Sequence, residues 1–496
     1  MDLESVKTEL VSREFLAVVL AGFGNELQPL TGDYGDEPSP KALLPVANRP
    51  MIEYLLLWIE QSGIKDVLLI CPTIHRLAIY HHIHSDISSS SLNVDLQTYD
   101  ETVDSSTGTC TLLRHFVHRI QEDFVLLSCD FIAPPSLPLS TLLNQFRADS
   151  GSNGAIATTC WYATSKPEKA ASPEEWGLSA PPASIVWDDA SGTLLHIDTA
   201  DDLDRNPGEL ELRMSLLSRY PRVRLSTNFR DSHVYVCRHS VLDALAQKVH
   251  MESFKEEFLP WLCKVQYQKL KRRKYDHILY TDTYVQTSQS TALQHSTLLT
   301  IANNDNVLSL VSNGEGELSA SLKVGVVLHH SDAGFAIRVR DLNSFVEINR
   351  RVLSTTSYTL PIDPKNRALI DQKAQISPDT IIGDSTKVSE RTAIKKSIIG
   401  RHCIIGKMVK IVGCILLDHC VIEDGAKIEG SVLGKNTKIG AKAEMSRCVT
   451  QAGYEVSAGD IVKNEKLEAT DWTAASDLTE SEDGGQTSES EKGSDV

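Results

Sequence analysis

Two short stretches of this chain carry residue types that could hold a ligand. The apolar run Phe15–Leu20 leads into Ala21-Gly22-Phe23-Gly24, and a second run, Phe124–Leu127, leads into Ser128-Cys129-Asp130. Glycines directly beyond a buried strand form a tight turn, and in sheets wound from such strands ligands sit past the carboxyl ends. Gly22, Gly24 and Asp130 are therefore expected to converge where a ligand would lie. A lone strand-end carboxylate is weak grounds for a metal, and capping a neighbouring turn is its commoner role. A basic cluster, Lys269, Lys271, Arg272, Arg273 and Lys274, is either a solvated helix end or a face for an acidic partner. The ten cysteines form no CxxC pair, so reduced thiols of a cytosolic protein are expected, not a disulfide framework.

The elements that must position these residues alternate between strand and helix. Phe15–Leu20, Val67–Ile70 and Phe124–Leu127 are apolar runs of strand length, and Pro50 to Ser62 has helical spacing with Pro at its start and Gly63 just past its end. Alternation of this kind predicts a doubly wound α/β domain. The signal fades after about residue 275. Residues 276–319 are rich in Ser, Thr and Asn and read as a linker, with Ser296–Ile301 a possible strand. Strands are expected at Val324–Leu328 and Phe335–Val339, and a helix over Leu342–Leu353.

Residues 382–449 repeat with a period of 17. One column holds Ile382, Ile399, Leu416 and Leu433, a second Val388, Ile405, Ile422 and Ile439, a third Ile394, Ile411, Ile428 and Met445. Thr386, Cys403, Cys420 and Thr437 form a column of small residues. Spacings of six, six and five between such columns predict a hexapeptide solenoid with three short strands per turn, extended upstream by Ile370 and Ile376. Cys403 and Cys420 are expected as small core residues, and His402 and His419, one turn apart, as corner residues; without an extruded loop between the rows they do not make an acyltransferase.

The chain's 496 residues exceed what one core accommodates. Its net charge of −17 argues against nucleic acid as a bulk partner. No apolar run approaches the roughly 18–20 residues of a membrane span, and the acidic start, Met1-Asp2-Leu3-Glu4, lacks a secretory core. From Glu468 to Val496 nine acids stand against one lysine, giving −8. With nine Ser/Thr and Trp472 as the one aromatic, this stretch is expected to be a disordered acidic tail.

An α/β domain followed by such a solenoid resembles the sugar-1-phosphate nucleotidyltransferase superfamily. Two segments carry the likeness: Leu20-Ala21-Gly22-Phe23-Gly24-Asn25-Glu26-Leu27-Gln28-Pro29-Leu30-Thr31 and Pro40-Lys41-Ala42-Leu43-Leu44-Pro45-Val46-Ala47-Asn48-Arg49-Pro50. The resemblance implies a triphosphate-wrapping loop, Lys41 on the phosphates and Asp130 as magnesium ligand. The first segment is one residue short, however, and Glu26 replaces the family's catalytic arginine. That exchange removes a bidentate donor and adds like charge, a loss of about 3–4 kcal/mol in transition-state stabilisation. Asp33, Asp36 and Glu37 lie in the same loop. His233 in Asp231-Ser232-His233-Val234-Tyr235 replaces a glycine that permits close ligand approach, and no E-K-P occurs between Leu194 and Asn228. Gly22, Gly24, Glu26, Lys41 and Asp130 thus read as a degenerate nucleotide cleft, with no catalytic residue, metal or cofactor expected.

To about residue 465 the chain resembles one branch of that superfamily, the gamma subunits of initiation factor 2B, through residues 41–54, 216–237, 253–262 and 342–353. The resemblance implies a non-catalytic subunit of a guanine-nucleotide exchange factor in the cytosol. It would pair with the epsilon subunit, join the other subunits, and help hold initiation factor 2 as substrate. The alternative is a sugar-1-phosphate nucleotidyltransferase or its regulatory paralogue. Expected boundaries are 1–275 for the nucleotidyltransferase-like domain, 276–319 for the linker, 320–364 for connecting strands and helix, 365–466 for a left-handed β-helix, and 467–496 for the tail.

Overall fold

The structure, a computed structural model, describes residues 14–32, 38–85, 91–100, 107–164, 183–205, 210, 212–279, 322–355, 361 and 363–468. The chain divides into two compact units, Met1–Thr355 and Thr356–Val496. The possible strand at 296–301, the acids Asp33, Asp36 and Glu37, most of the linker and the tail beyond Glu468 lie outside the described residues.

The first unit is built on a ten-stranded mixed sheet. Its strands are β1 Phe15–Leu20, β2 Asp66–Pro72, β3 Asn93–Tyr99, β4 Asp123–Ser128, β5 Ala155–Ala163, β6 Ile185–Asp188, β7 Thr193–Ile197, β8 Val223–Ser226, β9 Phe229–Cys237 and β10 Lys323–His329. The order is β8-β6-β7-β10-β5-β9-β4-β1-β2-β3, and the quartet β4-β1-β2-β3 is parallel throughout. Both faces of β4, β1 and β2 are covered, which is why these strands are largely apolar runs, whereas the edge strand β3, Asn-Val-Asp-Leu-Gln-Thr-Tyr, is partly exposed. Val18, Leu68, Ile70 and Leu126 enter one core, while Ala17, Val19, Val67, Leu69, Val125 and Leu127 enter the other.

Helices α1 Met51–Gln61 and α2 Leu139–Asn153 belong to this unit, with α3 Leu259–Tyr267, α4 Lys269–Leu279 and α5 Leu342–Thr355. The basic cluster sits on α4, which runs past residue 275. The stretch from 320 is more than a connector. Its strand β10 lies inside the sheet, parallel to β5 and antiparallel to β7, and Lys323 meets Asp149 of α2 at 2.6 Å in a buried pair. The apolar run 324–328 signals a strand, but its partner β5 is far away in sequence and no local pattern names it. No helix among the described residues is long and apolar enough to cross a membrane.

The second unit is a left-handed parallel β-helix of three sheets with six, six and five strands. Residues pair with those 17 positions on, as in Ile382 with Ile399, Ile405 with Ile422 and Ile411 with Ile428, so the three apolar columns stack in one core. The small column has a second task. Thr386 Oγ1 donates to the Gly400 carbonyl, Cys403 Sγ to Leu417, Cys420 Sγ to Gly434 and Thr437 Oγ1 to Gln451, at 2.8, 3.3, 3.2 and 3.4 Å. Each bond spans 14 residues, satisfying a carbonyl of the next turn with a side chain small enough for the corner. His402 and His419 stack at 5.0 Å on that corner, both with left-handed backbone.

Candidate functional site

The turn after β1 is shaped by its own hydrogen bonds. Leu27 N–H donates to Gly24 carbonyl at 2.9 Å, and Thr31 Oγ1 donates to the same oxygen at 3.0 Å. Gly24 has a φ of +83°, and a Cβ there would lie 2.9 Å from Lys41 Cβ. Both facts call for glycine. Lys41 opens a 3-10 turn over Lys41–Leu43, after which Pro45–Val46 and Arg49–Pro50 form a hairpin. Ala47 and Asn48 turn that hairpin with φ of 50° and 65°, the signs a two-residue loop needs. Buried Asn349 of α5 fixes it by accepting from Ala47 N–H at 2.9 Å.

Lys41 ends on Asp130, Nζ to Oδ2 at 2.5 Å, and Arg338 Nε reaches the other oxygen, Oδ1, at 2.9 Å. Asp130 is fully buried. Arg338 is delivered by a short strand, Ile337–Arg338, paired antiparallel with Phe131–Ile132 just beyond Asp130. Burial alone would raise the Asp130 carboxyl, but Arg338 and Lys41 outweigh it and hold the group well below the usual carboxylate range. Burial works against the Arg338 charge too, yet Asp130 more than offsets it, so the guanidinium stays protonated.

A second acid, Asp231, faces them from β9. Tyr235 Oη donates to Asp231, and His233 N–H donates to Asp231 Oδ1 at 3.1 Å. His233 interrupts the β9–β5 pairing with a φ of 55°, the left-handed region where glycine is at ease. Burial and then the Arg338 charge push its imidazole well below the ordinary range, so it is neutral at pH 7. Burial raises Asp231 and Tyr235.

All of these groups but Asp231 line a cavity of about 200 Å³ that includes Gly22, Gly24, Lys41, Asp130, His233, Tyr235, Lys255 and Arg338. Four of the five expected cleft residues come together. The fifth does not: Glu26 is 62% exposed, lies outside the lining, and pairs with Arg340 Nε at 3.1 Å. Glu26 therefore does not place its charge in the cavity; three cations, Lys41, Lys255 and Arg338, face it instead. Each Asp130 carboxylate oxygen already takes a cationic donor of the chain, so a magnesium ion there would compete with two positive charges. Lys255 and Asn349 lie in segments that carry the family resemblance, yet no sequence signal placed them, Arg338 or Arg340 at the cleft. Arg338 sits in the strand expected at 335–339 and Arg340 just beyond it, but nothing local links that segment to Asp130, 208 residues away in sequence.

Residues 16–170 match the family described as Nucleotidyl transferase, and residues 364–462 the family described as EIF2B subunit epsilon LbH domain. Fold and cleft together define a nucleotidyltransferase-like protein whose sheet domain is followed by a left-handed β-helix. Over 468 residues the chain is 30% identical to translation initiation factor eIF2B subunit gamma of Schizosaccharomyces pombe, covering 93% of this chain and 92% of that protein. It is 25% identical over 428 residues to the gamma subunit of Dictyostelium discoideum, covering 80% and 89%. Against the eIF2B subunit epsilon of Dictyostelium discoideum identity is 21% over 257 residues, 51% of this chain and 33% of that one. The chain belongs to the family of eIF2B gamma subunits.

Proposed function

We propose that this protein is a non-catalytic scaffold subunit of the eIF2B assembly, working in the cytosol beside an epsilon subunit and helping to hold initiation factor 2 while GDP leaves and GTP enters. Exchange of this kind needs no reacting side chain here; it needs a surface that favours one state of the substrate over another. The observation that carries the reading is the Lys41–Asp130–Arg338 triad. Nucleotidyl transfer in the superfamily that the chain resembles depends on a metal-ready carboxylate and free cations around a triphosphate. In this cleft the carboxylate is closed by two of those cations. Neutral His233 also lines the cavity, at a left-handed position where close approach would call for glycine.

The purified chain should therefore give no pyrophosphate-dependent turnover of any nucleoside triphosphate with Mg²⁺. Turnover above background that vanishes in Lys41→Ala would refute the inactive-cleft reading. Affinity purification from its own cells should recover the epsilon and other eIF2B subunits together with initiation factor 2. Recovery with sugar-nucleotide enzymes instead would overturn the scaffold role.

A further inference from the structure

We propose that the surface around helix α4 is a docking site for an acidic, partly apolar peptide segment of a partner protein. Four separate stretches bring cations to it: Arg213, Lys248, Lys264 of α3, and Lys271 and Lys274 of α4. Partial burial and then the fields of Lys264, Arg213 and Lys248 pull the Lys271 ammonium below its ordinary range, so these charges act on one another. Lys248 Nζ lies 5.3 Å from the Trp261 ring centre and 4.9 Å from that of Tyr275, and Lys274 Nζ lies 5.5 Å from Tyr275. The two rings meet edge to face at 5.0 Å and hold the lysines in place. Among the described residues none of these five cations is ion-paired with a carboxylate. In a chain of net charge −17 such a cluster opposes the general trend.

Apolar side chains stand exposed next to the cations in sequence: Met214 after Arg213 at 77%, Val249 after Lys248 at 70%, and Leu270 before Lys271 at 84%. Alternating cationic and aliphatic groups complement a peptide that alternates carboxylates with apolar residues. A nucleic acid fits less well. Single strands are held by open aromatic faces, and here Trp261 and Tyr275 are buried at 8% and 6% exposure beneath the lysines.

The test uses the full chain and a fluorescent synthetic peptide alternating glutamate with leucine and tryptophan. Anisotropy should show saturable binding that weakens with salt, and Lys271→Glu with Lys274→Glu should lower affinity at least about tenfold. Leu270→Ser should weaken it several-fold, and the charge-reversed chain should gain affinity for the lysine version of the peptide. That gain separates lost complementarity from lost folding. The proposal fails if the charge-reversed chain binds the acidic peptide unchanged, or if single-stranded RNA of equal charge is preferred. It fails equally if sedimentation shows the site filled by a second copy, or if ending the chain at Leu467 raises peptide affinity about tenfold, which would make the tail the occupant.

Discussion

At the scale of single residues, Asp130 is the group on which the cleft turns. It is fully buried and depends on two cations supplied by distant parts of the chain. Arg338→Met would remove one of them. Stranding a buried charge costs roughly 3–5 kcal/mol, but Lys41 remains, so about 2 kcal/mol is expected, read as a lower urea midpoint. The depressed Asp130 carboxyl also stabilises the fold fully above about pH 4 and loses that contribution as pH falls. The acid limb of the stability curve should accordingly be shallower in Arg338→Met. An unchanged limb would show that Lys41 alone sets the state of Asp130. His233 acts over a different window. A histidine kept neutral in the fold takes up its proton first in the unfolded chain, so stability falls as pH drops below about 6.5. His233→Asn tolerates the left-handed backbone and should flatten the profile between about pH 6.5 and 5. The ring keeps 23% of its surface, so the wild-type slope should fall short of the full value of about 1.4 kcal/mol per pH unit. Equal slopes in the two proteins would sink this assignment.

At the scale of elements, the β-helix is governed by register. Inward columns recur every 17 residues, and the bonds from the small column link each turn to the next. Removing residues 400–416 deletes one whole turn and leaves every column continuous. That protein should fold with one strand fewer per sheet, shorter by about 4.8 Å. Removing 400–415 instead slips each later column by one position and turns the core residues outward. Circular dichroism and melting should show the β-helix transition retained for the first deletion and lost for the second, with only that of the α/β unit remaining. The β-helix was legible in the sequence for the same reason, since its contacts repeat at a fixed separation. The first strands of the α/β domain were legible because burial on both faces leaves an unbroken apolar run. β10 was readable as a strand at 324–328 but not as part of the sheet, since pairing with β5 depends on tertiary context. The site shows the same divide. Gly22, Gly24, Lys41 and Asp130 lie in recognisable turns, whereas Arg338 reaches Asp130 only after the sheet is assembled. Glu26 was visible, but nothing in the sequence showed that it pairs with Arg340 outside the cavity.

At the scale of the whole molecule, the acidic charge concentrates beyond residue 467. The net charge is −17, and Glu468–Val496 contributes −8, leaving −9 for the rest. The last turn of the β-helix closes on its predecessor through Glu444 N–H to Asp460, Val449 N–H to Glu465 and Gln451 N–H to Leu467, at 2.8, 3.0 and 2.8 Å. Among the described residues the ladder ends there, with Val456 buried beneath it. Beyond Leu467 the sequence offers two large apolar residues before the terminal valine, Trp472 and Leu478, too few to add a core of their own. A chain ended after Leu467 should thus melt within a degree or two of the full protein, since a change of 1 kcal/mol shifts a domain of this size by only about 2–4 °C. Removing eight net negative charges also lowers self-repulsion, which if anything favours the compact state. Differential scanning calorimetry at low and at moderate salt separates the two contributions. A fall of many degrees at both would mean that Trp472 or Leu478 packs on the last turn, and the β-helix would then extend beyond the ladder that ends at Leu467.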